Sequence, residues 1–178
     1  MILDIARLLL FPALIAFAAA SDLFTMTISN RVSPALIAGF LVLAPLGGMG
    51  LQDMLSHLGA GAAVLAVAFT CFAMGWMGGG DAKVAAAVAL WFGFDHLLNF
   101  LVYASLFGGA LTLLLLQFRQ WPLPYSLTSQ AWLLRLHDKR SGVPYGIALA
   151  IGALMVYPET EWIKTVDLSH FAMLTSGG

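Results

Sequence analysis

Charge is what this chain has least of. Only 10% of its 178 residues are Asp, Glu, Lys or Arg, and eight basic against nine acidic side chains leave a formal net charge of −1. A soluble domain ordinarily carries about 25% charged residues, and a nucleic-acid binder needs a basic face; the composition excludes both, so no nucleic acid is expected as a partner. Cysteine is almost missing. Cys71 stands alone within an apolar run, which rules out an internal disulfide and a cysteine-based zinc site. The four histidines, His57, His96, His137 and His170, are scattered, with no pair at helical ligand spacing. They read as interfacial or loop residues, and neither a metal nor a cofactor is expected.

Hydrocarbon is what the chain has instead. It is 61% hydrophobic, with a mean hydropathy of +0.91. Backbone that enters a bilayer must satisfy its own hydrogen bonds, and long apolar runs do so as helices. The expected fold is therefore all-α, a polytopic membrane helix bundle embedded in the lipid bilayer. Apolar segments cover about 5–21, 34–46, 58–77, 83–94, 97–117 and 143–157, giving about six transmembrane helices. The first ends in Ala18-Ala19-Ala20-Ser21, which resembles a signal-peptidase site. However, Asp4 offsets Arg7, the preceding region is not positive, and the run is long enough to span. Pro34 suits the opening turn of the second segment, which is short unless it continues through Gly47, Gly48 and Gly50 towards Leu51. The fourth, between Lys83 and Asp95, is also short and fits a re-entrant or bundle-enclosed helix. Within the long polar connection 119–142, Ser129 to Leu136 reads as a short interfacial amphipathic helix. Residues 1–157 thus form one membrane-embedded domain, and 158–178 an extracytoplasmic tail, interfacial or partly disordered, with Trp162 and Phe171 among charges.

Six crossings put both termini on one side. Arg31, Lys83, Arg119, Arg135, Lys139 and Arg140 fall in the connections after segments one, three and five, whereas Arg7 and Lys164 fall on the other side. The positive-inside rule assigns the three cation-rich connections to the cytoplasm and both termini outside it. Asp22, after segment one, and Asp81, before segment four, then reach the same cytoplasmic face. Asp53 and Asp95 face outward.

Asp81 follows Gly78, Gly79 and Gly80 and precedes Ala82-Lys83-Val84, between two apolar runs. A carboxylate against hydrocarbon costs about 2.5–3.5 kcal/mol at a helix centre, which makes it a functional candidate. Three glycines also permit close approach of a second backbone. The plainer alternative is a helix–loop–helix turn with Asp81 as N-cap. Two carboxyls close together in a low-dielectric site share one proton. The ionised member can take a proton from water as it attacks an amide; the protonated member can polarise the carbonyl and then protonate the leaving nitrogen. Such a pair titrates as a unit, so neither role is assigned to one residue.

Gly78-Gly79-Gly80-Asp81 resembles the GxGD signature of intramembrane aspartyl proteases. With Ala82-Lys83-Val84 it is similar to the GGGD-x-K-aliphatic pattern of the type IV prepilin peptidase family. The stretch Asp22 to Ser33 resembles the family's other aspartate motif, in which an Ile-Pro-Asn precedes an aliphatic residue; here Ser29 stands in place of the proline before Asn30. Val143-Pro144-Tyr145-Gly146 is similar to the motif opening the family's last segment. The resemblance spans about 5–157. It implies Asp22 and Asp81 as the catalytic pair, with Gly78, Gly80, Lys83 and Asn30 as active-site support. Lys83 also fits a charge snorkelling to the interface, and Asn30 a cap for the second segment. The larger members carry a cytoplasmic four-cysteine insert and methylate the product. Both the insert and its cysteines are missing here, so methylation is not implied. The chain resembles the short form associated with tight-adherence (Flp) pilus systems, which implies an inner-membrane endopeptidase cutting the cytoplasmic leader from prepilins and pseudopilins, alongside pilus assembly or secretion machinery. Two other readings compete: a proton- or cation-coupled transporter using the same two carboxylates as an ion relay, and a secretion-platform subunit without chemistry, for which both aspartates would be dispensable.

Overall fold

A computed structural model describes residues 2–164 and 166. Among these the fold is all helical, without strands: α1 (Ile2–Thr25), α2 (Val32–Leu46), α3 (Leu51–Ala73), α4 (Gly79–Phe118), α5 (Ala131–His137), α6 (Tyr145–Val156) and α7 (Glu161–Lys164), with short 3-10 turns at Tyr125–Leu127 and Tyr157–Glu159. Three helices, α1, α3 and α4, are long and apolar enough to cross a membrane.

α4 is 40 residues long but breaks at Gly93, whose φ of 62° and ψ of −175° suit only a residue without Cβ. The second arm, 94–118, folds back along the first, 79–92. The ring of Phe92 meets that of Phe100 at 5.6 Å, although eight residues of straight helix would separate them by about 12 Å. The packing of α6 agrees: its Gly152 lies on Ala104 and its Tyr145 against Gly108, so it runs antiparallel to the second arm. At the break, the Leu90 carbonyl accepts from His57 Nδ1 at 2.9 Å and the Trp91 carbonyl from Trp162 Nε1 at 2.7 Å. Side-chain donors thus satisfy backbone oxygens beside an interrupted helix.

The first arm is the post around which the bundle packs. Ala82 and every residue from Val84 to Gly93 are buried, as the short, Ala-rich fourth segment foreshadows. Phe11, Phe40, Trp91, Phe92, Tyr157 and Trp162 fill the end nearest Gly93, with Phe11 stacked on Tyr157 at 4.4 Å and Trp91 tilted on Trp162 at 4.7 Å. The buried indole of Trp91 donates to the Leu36 carbonyl at 2.9 Å, so its polar edge is not stranded.

Several sequence expectations change. The second segment does not continue through the glycines: α2 ends at Leu46, Gly48 takes φ 79°, and α3 begins at Leu51, about seven residues before the apolar run expected from 58. His57 is no loop residue; it is held inside the bundle by Leu90 and stacked on Phe40 at 5.5 Å. The start of the tail packs onto the bundle: Trp162 is only 5% exposed and inserts against Trp91. His170 and Phe171 lie outside the described residues. The amphipathic stretch is helical, as α5.

Candidate active site

Asp22 sits in the last turn of α1 and is 5% exposed. One of its oxygens, Oδ2, accepts the backbone N–H of Gly146 at 2.8 Å, from the first turn of α6. This contact explains a glycine at 146: a Cβ there would stand 2.9 Å from that same oxygen and 2.9 Å from Ile28 Cδ1. The chain leaves α1 through Met26, the described non-glycine residue with positive φ (56°), whose N–H closes on the Asp22 carbonyl at 2.8 Å. Ser21 and Thr25 hydroxyls then hold the Thr27 carbonyl at 2.8 and 3.0 Å. The turn that follows Asp22 is therefore tied down by its own Ser and Thr side chains, as such residues do at helix ends.

Asp81 lies in the first turn of α4. Gly78, not Asp81, occupies the N-cap position; the Asp81 carboxylate reaches back to the Gly78 backbone N–H, as an acidic third residue does in a capping box. A Cβ on Gly78 would come within 2.9 Å of Asp81 Oδ2, so glycine there leaves the carboxylate its place. Gly79 and Gly80 meet Phe72 of α3 and Ile28 of the α1–α2 loop. Those two glycines serve close packing inside the protein rather than an open groove for another backbone. Ile28, which also lies against Gly146, packs the loop after α1 onto the starts of both α4 and α6.

The fold brings the two acids together. Asp22 and Asp81 line a single cavity of about 780 Å³. The wall is otherwise made by Met26, Cys71, Gly75, Trp76, Met77, Gly78 and the run Gly142–Tyr145, with no other charged residue among the described residues. Trp76 stands 71% exposed at the rim. Asp53 and Asp95, with His57 and His96, line a separate cavity of about 350 Å³ at the opposite end.

The remaining candidates lie beside this cavity rather than in it. Lys83 Nζ donates to Asn30 Oδ1 at 3.2 Å, tying the first turn of α4 to the loop after Asp22. Asn30 is thus the partner of Lys83 and not a cap: the N-cap of α2 is Arg31, without a side-chain cap bond. Gly146, Ile28, Cys71 and Trp76 were not among the sequence candidates. The Val143-Pro144-Tyr145-Gly146 motif was the available signal for Gly146, though nothing in it says that its N–H would meet Asp22.

Residues 9–113 match the sequence model of the type IV leader peptidase family. The chain belongs to that family. It is accordingly a peptidase and a membrane protein, of a family whose substrates are prepilins. The matched region holds both aspartates and ends before α5 and α6. No curated protein and no solved structure matches the chain.

Proposed function

We propose that this leader peptidase is an aspartyl endopeptidase that removes the short cytoplasmic leader from Flp-type prepilins and pseudopilins, with Asp22 and Asp81 as its catalytic pair. The carrying observation is that these two acids, remote in sequence, line one cavity. Gly146 occupies Oδ2 of Asp22, which leaves Oδ1 to hold a water. In the proposed reaction the ionised carboxyl takes a proton from that water as its oxygen attacks the scissile carbonyl. The protonated carboxyl donates to the carbonyl oxygen; collapse of the tetrahedral intermediate then moves a proton to the leaving nitrogen. No covalent enzyme intermediate is required.

We read six crossings with both termini outside and the site on the cytoplasmic side of the inner membrane. Supporting this, the ends of α1, α3 and the second arm of α4, and the starts of the first arm and α6, converge where Arg31, Lys83, Arg135, Lys139 and Arg140 gather. A substrate suited to such a site presents a polar leader at the surface, followed by an apolar helix in the bilayer. A glycine before the cut would ease local unwinding, being about 1 kcal/mol worse than alanine in a helix. Co-expression with a Flp-type prepilin, followed by blotting for precursor and product, tests the proposal. The wild-type chain should shorten the precursor; an unshortened precursor beside inserted, folded enzyme would exclude it.

A further inference from the structure

Arg119 closes α4 at the cation-rich end of the bundle, yet it is 8% exposed. An arginine at a bilayer edge ordinarily extends towards water. Arg119 turns inward instead. Its Nε donates to the Leu136 carbonyl and its Nη2 to the Gly142 carbonyl, both at 2.8 Å. The planar guanidinium suits this task, since it presents several donors in a fixed fork to two separate oxygens, whereas a lysine offers one nitrogen.

Both carbonyls lead to Asp22. Leu136 belongs to α5, where the preceding residue, Arg135, donates from Nη2 to the Phe24 carbonyl at 2.8 Å, and Trp132 sets its ring edge-on to Phe24 at 5.6 Å. Phe24 is two residues beyond Asp22, on the same helical turn. Gly142 begins the cavity-lining run Gly142–Tyr145, and the next residue is Gly146, whose N–H holds Asp22 Oδ2. One arm therefore fixes the backbone that carries the acid, and the other fixes the donor on its oxygen. The Phe118 ring, edge-on to His137 at 5.1 Å, closes the same corner.

We propose that Arg119 is a positioning residue for Asp22: its two carbonyl contacts set where the carboxylate stands, through α5 on one side and residues 142–146 on the other. This rests on Asp22 being catalytic. A displacement of about 1 Å at a reacting group costs about 100-fold in rate, so the effect belongs in turnover rather than in substrate binding.

The test is steady-state cleavage of a purified Flp-type prepilin by the full chain in proteoliposomes, with insertion checked by alkylation of Cys71. R119Q and R119K should lower kcat by about 10- to 100-fold with KM changed by less than about threefold. R135Q frees one arm only, is an exposed change, and should lower kcat by at least about threefold. Combined with R119Q it should add less than its own loss, because both act through α5. Unchanged kcat in inserted R119Q, a rise in KM alone, or fully additive losses would overturn the inference. If R119Q does not insert, unchanged kcat in R135Q overturns it. D22N separates the two levels: cleavage by D22N removes the catalytic reading itself, whereas inactive D22N beside fully active R119Q removes only the role of Arg119.

Discussion

At the scale of single residues, the two aspartates differ in how they are held. Asp22 is enclosed and its Oδ2 is engaged by Gly146; Asp81 caps its own helix start through Gly78. Replacing either by Asn keeps size and removes the exchangeable charge. D22N and D81N are expected to lower cleavage at least about 1000-fold, within the range for loss of a general acid or base, while still inserting. Quantitative blotting of precursor and product checks this. G146A keeps the N–H but adds a Cβ 2.9 Å from the Asp22 oxygen. The carboxylate must shift, and turnover should fall about 100-fold with little loss of folded protein. The two acids were legible in the sequence as candidates for one site, because the glycines beside Asp81 mark it and the cation pattern puts Asp22 on the same face, and the fold sets both on one cavity. Gly146 was legible only as part of a motif. Its bond to Asp22 joins residues 124 positions apart, and local pattern carries no information about that separation.

At the scale of elements, the short, apolar fourth segment could be read in sequence as enclosed, and it is. The reversal at Gly93 could also be placed to within a few residues by Asp95. What could not be read is how the break is satisfied. His57 and Trp162 come from other helices, and a lone histidine in an apolar stretch carries no mark distinguishing a loop from a core position. G93A forces a residue with Cβ into φ 62° and towards the His57 ring; it should destabilise by about 1–3 kcal/mol. H57F leaves the Leu90 carbonyl without its donor and should cost about 1–3 kcal/mol. Thermal unfolding in detergent measures both. The Lys83–Asn30 bond is exposed and long, at 3.2 Å, so K83A and N30A should each shift stability by no more than about 1 kcal/mol, and the double variant by no more than the larger single change.

At the scale of the whole molecule, the order of apolar runs and the uneven placement of cations were enough to put Asp22 and Asp81 at one end and Asp53 and Asp95 at the other, and the fold has this arrangement. The proposed orientation in the membrane rests on the same charges and is open to direct test. With Cys71 replaced by Ser, a cysteine placed at Lys139 should react with an impermeant maleimide only from the cytoplasmic side, and one at Gly48 only from the opposite side. Labelling of both from one side would contradict the six-crossing reading. The packing within each end was not legible, because which aromatic ring meets which depends on the mutual rotation of helices that carry little amphipathic signal. The length of the first α4 arm has a further meaning for depth. Twelve residues separate Asp81 from Gly93, a helical rise of about 18 Å, against a hydrocarbon slab of about 30 Å. On the proposed six-crossing topology, with Gly93 at the far surface, a post that short sets its acid roughly a dozen ångströms beneath the near headgroups. The proposed hydrolysis would then need a shaft of solvent sunk into the bilayer, and the 780 Å³ hollow beside Asp81 has the size to be its floor.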